Sequence, residues 1–186
     1  MAILETRTVQ WLGEASCAST AQALAAKPGT RAAFIELRGP LGAGKTTFVR
    51  YLLHALGVEG RVKSPTYAVM EPYQLPASSS ATTPTSAWHF DFYRFNDPRE
   101  WEDAGFRDIF ASTGLKLAEW PEQAAGLLPE PDLRITITPA SFSVDADAVT
   151  GPADPADDQE DAAESSTDPR HVEFSALTAL GMELLP

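Results

Sequence analysis

A chain of 186 residues and 20.0 kDa is long enough for one domain that removes roughly 70% of its unfolded surface from water, so residues 1–186 are read as a single unit and a two-domain enzyme is excluded. The hydrophobic share of 44% and the charged share of 22% are those of ordinary globular chains, no apolar run approaches the ~18 residues of a membrane span, and the net charge of −12 disfavours tight, direct RNA binding by this chain alone. One cysteine, Cys17, and three histidines, His54, His89 and His171, exclude an internal disulfide and a Cys/His zinc site, and the opening 13 residues lack the pattern of a secretory signal, which points to the cytoplasm.

In chain order, Thr8–Trp11 is a short strand, and the Ala-rich run Glu14–Ala26 is a helix that Lys27-Pro28-Gly29 ends. Ala33–Leu37 is a buried strand leading into glycines, and a helix follows from Lys45 to about Leu56, closed by Gly57. Tyr67–Tyr73 and Ala87–Tyr93 alternate as strands on either side of a Ser/Thr/Ala/Pro-rich loop at 75–87. Pro98–Phe110 is a helix with proline in its first turn, and Leu115–Glu119 is another strand. Arg134–Thr138 and His171–Leu177 have period-2 patterning and are expected to pair as an interrupted hairpin. Between them, 141–169 carries nine acids and no lysine or arginine, a composition that cannot bury enough surface to offset its ordering entropy, and it reads as a disordered insertion. The fold class is α/β, a P-loop-like three-layer arrangement of helices flanking a sheet of mixed direction.

Gly39-Pro40-Leu41-Gly42-Ala43-Gly44-Lys45-Thr46 fits G-x-x-x-x-G-K-[ST] and stands between a predicted strand and a predicted helix. The glycines let backbone N–H groups converge on phosphate oxygens, and the helix turns its positive end to the same charge. Lys45 neutralises the β- and γ-phosphates, Thr46 offers a hydroxyl to Mg²⁺, and Thr47 is placed to bond the α-phosphate. The plain alternative is a glycine-rich turn with a surface lysine.

Two acids are placed to control a metal and a water. In Trp88–Arg94 the alternation puts His89, Asp91 and Tyr93 on one face and Phe90 and Phe92 on the other; three polar groups on one face suggest a site, against the alternative of an edge strand with a solvated side. Glu119 closes an apolar strand where P-loop proteins keep an acid for Mg²⁺, against the alternative of a surface acid. Ser64-Pro65-Thr66-Tyr67 supplies hydroxyls to sense a γ-phosphate, although the same residues make an ordinary turn entering a strand. Trp120-Pro121-Glu122 reads as packing, His54 as structural, and His171 has no partner in sequence.

These segments, taken together as Gly39–Thr47, Val62–Tyr67, His89–Arg94 and Glu119–Pro121 in that order and spacing, resemble the bacterial TsaE (YjeE) family over about residues 5–140 and the final strand. The resemblance implies a small P-loop ATPase required for N6-threonylcarbamoyladenosine in tRNA, with ATP/ADP and Mg²⁺ as ligands. It implies that Gly39, Leu41, Gly42, Ala43, Gly44, Lys45, Thr46 and Thr47 hold nucleotide, that Thr46 and Glu119 share the metal, and that Trp120 walls the site. Asp91 is then needed for hydrolysis together with Lys45, and Thr66 belongs to a switch-like loop. It implies TsaD-like and TsaB-like partners, with tRNA contacted indirectly through them. Departures are Pro40 where an acid is usual, Tyr67 for a common Phe, and the length of the 75–87 and 141–169 segments.

A switch-type GTPase needs an Asn/Thr-Lys-x-Asp motif, which this sequence lacks, so adenine is favoured. The rival enzyme is a P-loop small-molecule kinase, with Asp91 as base and Arg94, Arg99 and Arg107 for an acceptor. A nucleotide-binding adaptor without hydrolysis would leave Asp91 and Glu119 without a role.

Overall fold

Central strands of an α/β sheet are covered on both faces and therefore read as unbroken apolar runs, whereas strands nearer an edge alternate. The computed structural model, which describes residues 2–77, 83–96, 98–140 and 169–186, follows this rule. Strand β1 is Glu5–Trp11, β2 Phe34–Arg38, β3 Met70–Leu75, β4 Thr85–Asp91, β5 Leu115–Glu119, β6 Leu133–Pro139 and β7 Arg170–Ala176. All five residues of β5 are buried, while β6 alternates buried and half-buried positions. The strands form one sheet in the order β1-β7-β6-β2-β5-β4-β3. β6, β2, β5 and β4 run parallel, β7 and β3 flank them antiparallel, and β1 pairs antiparallel with β7, so that it runs in the direction of the central four.

Helices α1 (Glu14–Ala25) and α2 (Lys45–Ala55) pack together on one face. Cys17, Ala21 and Leu24 of α1, spaced as one helical stripe, are buried with Phe48, Val49, Leu52 and Leu53 of α2. They meet Ile35, Leu37, Leu117, Ile135 and Phe174 from the sheet, and Trp11 stacks on Phe48 at 5.4 Å. Burial pushes the Cys17 thiol up to about 12. The other face carries an aromatic cluster of Phe34, Phe90, Phe92, Phe95, Trp101 and Phe106, supplied partly by α3 (Pro98–Asp103) and α4 (Phe106–Ala111). The last helix, α5 (Ala179–Leu184), is capped by Thr178, whose hydroxyl accepts from the Gly181 N–H. Among the described residues, no helix is long and apolar enough to cross a membrane.

Three expectations need correction. The strand expected at 67–73 starts only at Met70, because 66–69 form a turn in which Val69 takes the left-handed φ of 63° and its N–H bonds the Pro65 carbonyl at 2.6 Å. Its far end reaches Leu75, which pairs with Thr85, so the Ser/Thr-rich connection is shorter than 75–87; residues 78–82 of it lie outside the described residues. Pro72 sits within β3, which the edge position tolerates. The helix expected over 98–110 is two helices, broken where Gly105 adopts φ 67°.

The interrupted hairpin is as expected: β6 and β7 pair from Leu133↔Ala176 to Pro139↔Arg170. The acidic segment read as a disordered insertion, 141–169, lies outside the described residues except for Pro169. Its two ends are side by side, because the Ala140 N–H bonds the Pro169 carbonyl at 2.8 Å.

Candidate active site

Because β2, β4 and β5 are parallel, their carboxyl ends lie at one edge of the sheet, and a connection leaving β2 there meets whatever closes its neighbours. The Gly39–Gly44 loop leaves β2 at that edge and enters α2. Gly39 has φ 137°, and a Cβ there would fall 2.2 Å from the Ile137 carbonyl oxygen of β6, so only glycine fits. Gly44 caps α2 with φ 104°, a left-handed conformation that favours glycine, and the first N–H groups of the helix have no intrahelical acceptor. Behind the loop, Arg170 of β7 donates Nε–H to the Ala43 carbonyl at 3.0 Å.

Lys45 is buried at the start of α2 and folds back on the loop. Its Nζ donates to the carbonyls of Gly39 at 2.7 Å and Pro40 at 2.9 Å, and lies 3.9 Å from the centre of the Trp120 ring. Burial lowers the Lys45 pKa below its ordinary value, against the opposing pull of Glu119, Asp91 and Glu122. Trp120 holds its place through a left-handed φ of 55° just beyond β5, and Tyr93 leans on it at 5.0 Å. The side chain of Leu41 is exposed, and Thr47 follows in the first turn of α2.

Glu119 and Asp91 are register partners at the ends of β5 and β4, and both are buried. Glu119 divides its two oxygens: Oε2 accepts from the Thr46 hydroxyl at 3.0 Å, and Oε1 pairs with Nε2 of the fully buried His89 at 2.8 Å. Asp91 Oδ2 accepts from the hydroxyls of Ser64 and, at 2.9 Å, Thr66, while Oδ1 accepts from the Tyr93 N–H at 3.0 Å. Asp91 also donates its own N–H to the Val69 carbonyl at 2.9 Å, which ties the 64–69 turn to β4 at both ends. On the rim, the Arg94 guanidinium covers the Tyr67 ring at 4.6 Å.

A metal bound here fits the donors present. Thr46 and Glu119 present two hard oxygens 3.0 Å apart. This suits Mg²⁺, which takes one or two protein oxygens and completes its shell with phosphates and water.

Gly39–Thr47, Thr66, Asp91, Glu119 and Trp120 thus come to one end of the sheet. Within β4 the expected alternation holds, since Phe90 joins the aromatic cluster while His89 and Asp91 face α2 and the turn, but the strand ends at Asp91 rather than Tyr93, and Tyr93, expected on the same face, lies beyond it against Trp120. Three contacts escaped the sequence: Ser64 on Asp91, His89 on Glu119 and Arg170 on Ala43. The composite His89-x-Asp91 pattern was the one signal pointing toward the second of these.

A phosphate loop between a central parallel strand and a helix, flanked by acids closing the next two strands, defines a P-loop nucleotide-binding fold. Residues 13–145 match the family model described as threonylcarbamoyl adenosine biosynthesis protein TsaE. The chain belongs to the TsaE family. It is 42% identical over 107 residues to the tRNA threonylcarbamoyladenosine biosynthesis protein TsaE of Haemophilus influenzae, covering 58% of this chain and 63% of that one. It is 37% identical over 112 residues to the protein of the same name from Bacillus subtilis, covering 60% of this chain and 63% of that one. The matched stretch therefore spans less than two thirds of each relative. In architecture the chain is similar to the crystal structure of Bacillus subtilis YdiB, with a TM-score of 0.63, 21% identity and coverage of 99% and 94% of the two chains.

Proposed function

We propose that this chain is a single-domain, Mg²⁺-dependent ATPase of the cytoplasm that supports tRNA threonylcarbamoyladenosine modification through TsaB- and TsaD-type partners. The observation that carries the reading is the convergence of the Thr46 hydroxyl and one Glu119 oxygen, 3.0 Å apart, beside Lys45 at the mouth of the phosphate loop. Family membership supports the pathway, and the two relatives named above carry it in their names.

On this reading the N–H groups of Leu41–Thr47 and the start of α2 hold the phosphates. Lys45 exchanges its two carbonyl acceptors for β- and γ-phosphate oxygens, which bear more charge and make a stronger bond. Thr46 and Glu119 would hold Mg²⁺, which when bound would supply positive charge to offset that of the phosphates. Trp120 closes one wall. Asp91 orients the attacking water once its oxygen is released by Ser64 and Thr66, and the 64–69 turn carries that change to a partner. Arg94, on the rim, either meets developing charge or docks the partner. A chain of net charge −12 leaves tRNA to the partners.

The test is calorimetric titration with ATP, ADP and GTP, followed by steady-state phosphate release from the pure protein, with the partner complex, and with Arg94→Ala. Adenine nucleotides are expected to bind with Mg²⁺ dependence, and turnover is expected to be slow alone and faster with partners. Absence of nucleotide binding, or phosphate appearing on a small-molecule acceptor, overturns the reading, the latter in favour of a kinase.

A further inference from the structure

His89 has no part in the scheme above, yet its imidazole is fully buried. It lies on β4, opposite Leu117 of β5 and Glu71 of β3, with its side chain on the α2 side of the sheet. Placing an imidazole there costs desolvation of two ring nitrogens, and a side chain kept only for packing would be apolar or would have both nitrogens satisfied. Only one is: Nε2 bonds Glu119 Oε1 at 2.8 Å, while Nδ1 has no hydrogen-bond partner among the described residues. An ionised carboxylate can only accept, so Nε2 carries the proton in this bond.

The consequence falls on Glu119. A carboxylate on a flexible side chain can turn either oxygen, or both, toward a cation. Here His89 holds one oxygen and the other is left facing Thr46 at 3.0 Å. We propose that His89 is a positioning residue that fixes Glu119 so that a single oxygen, Oε2, joins the Thr46 hydroxyl in holding a divalent cation on bound nucleotide. The bond resembles the outer-shell contacts that orient metal ligands generally, whose loss costs 10- to 100-fold in metal affinity. The inference rests on the nucleotide reading given above, and it concerns only the metal-dependent part of binding.

Two amide substitutions separate this role from packing. Glutamine places its NH₂ close to the position of Nε2, whereas asparagine places it near Nδ1 and falls short of Glu119. ADP affinity is measured by calorimetry for wild type, His89→Gln and His89→Asn, each with Mg²⁺ and with a chelator, after circular dichroism and thermal melting confirm folding. The gain in ADP affinity on adding Mg²⁺ is expected to persist within about threefold in His89→Gln and to fall about tenfold or more in His89→Asn, while affinity in chelator stays the same in all three. An unchanged Mg²⁺ gain in His89→Asn overturns the proposal, as does an equal loss in chelator and in Mg²⁺, which marks a packing role. If His89→Asn does not fold, loss of the Mg²⁺ gain in folded His89→Gln overturns it as well. Wild type that binds no ADP in either condition overturns the nucleotide reading itself, and this inference with it.

Discussion

On one side of the site, Gly39–Thr46 run from the end of β2 into α2, with Glu119 at the end of the neighbouring β5. On the other, Ser64–Val69 lie outside any strand and are joined to Asp91 by two hydroxyls, one backbone N–H and a valine at φ 63°. The first side is fixed by regular elements and by Gly39, where any Cβ would fall 2.2 Å from the Ile137 carbonyl oxygen. The second is fixed by side-chain bonds worth about 1 kcal/mol each and by a left-handed β-branched residue, a conformation that costs of order 1–3 kcal/mol. A region held in this second way can let go without unfolding anything else, which is the property a nucleotide-sensing turn needs. The difference implies that substitutions on the phosphate side change whether nucleotide binds, and that those on the turn side change what happens afterwards.

The largest expected effect tests the first half of that statement. Lys45→Ala should weaken ATP and ADP binding by ~10- to 100-fold, because a charge-assisted bond to phosphate is lost at a buried position. Calorimetric titration reads it directly, and near-normal affinity would remove the phosphate loop from the account. Next comes a split between the two acids. Asp91→Ala should slow hydrolysis by about 100-fold with ADP affinity nearly unchanged, whereas Glu119→Ala should abolish the Mg²⁺ dependence of ADP binding. Equal effects of both on affinity would erase the contrast between the two sides.

How far the sequence revealed each side follows from the same physics. β2, the phosphate loop, α2 and β5 are readable because buried parallel strands are unbroken apolar runs and because glycines at this spacing mark a strand-to-helix turn. β6 and β7 were readable by their period of two, although 30 residues separate Pro139 from Arg170. The start of β3 was misplaced because nothing in Ser-Pro-Thr-Tyr-Ala-Val announces that Val69 will turn left-handed. The helix at 98–110 was read through Gly105 because one glycine in an amphipathic run can be tolerated or can end it. Around the phosphate loop, Asp91 and Glu119 stand out by type and position and Thr66 only through the family resemblance, and the structure brings all three to one end of the sheet. The bonds from Ser64, His89 and Arg170 do not stand out, since they depend on strand register and on a turn that no local pattern encodes.

A smaller effect sharpens the comparison on the turn side. Ser64→Ala and Thr66→Ala should each cost about 1 kcal/mol locally, and the pair together should raise amide hydrogen exchange across 64–70 while leaving the α2 amides from Phe48 onward protected. Faster exchange spreading into α2 would show that the two sides are mechanically one.

The smallest effect lies behind the phosphate side, where the Tyr51 hydroxyl of α2 donates to Glu14 of α1 at 2.5 Å. This bond, together with burial, pushes the Tyr51 pKa up to about 12 from an ordinary 10.0. The folded state therefore retains a proton that the unfolded chain releases between those values, and unfolding stability must fall as pH rises through that window. Below pH 10 the contribution is fully present, and above 12 it is gone. Tyr51→Phe should lower stability at pH 8 by about 0.5 kcal/mol, since the bond is exposed to water. It should also flatten the decline between pH 10 and 12, so that the wild-type and variant urea midpoints converge as the pH rises. Midpoints that stay parallel through pH 11 would mean that α1 and α2 are held by their apolar stripe alone, and that the phosphate side owes its rigidity to packing without help from this bond.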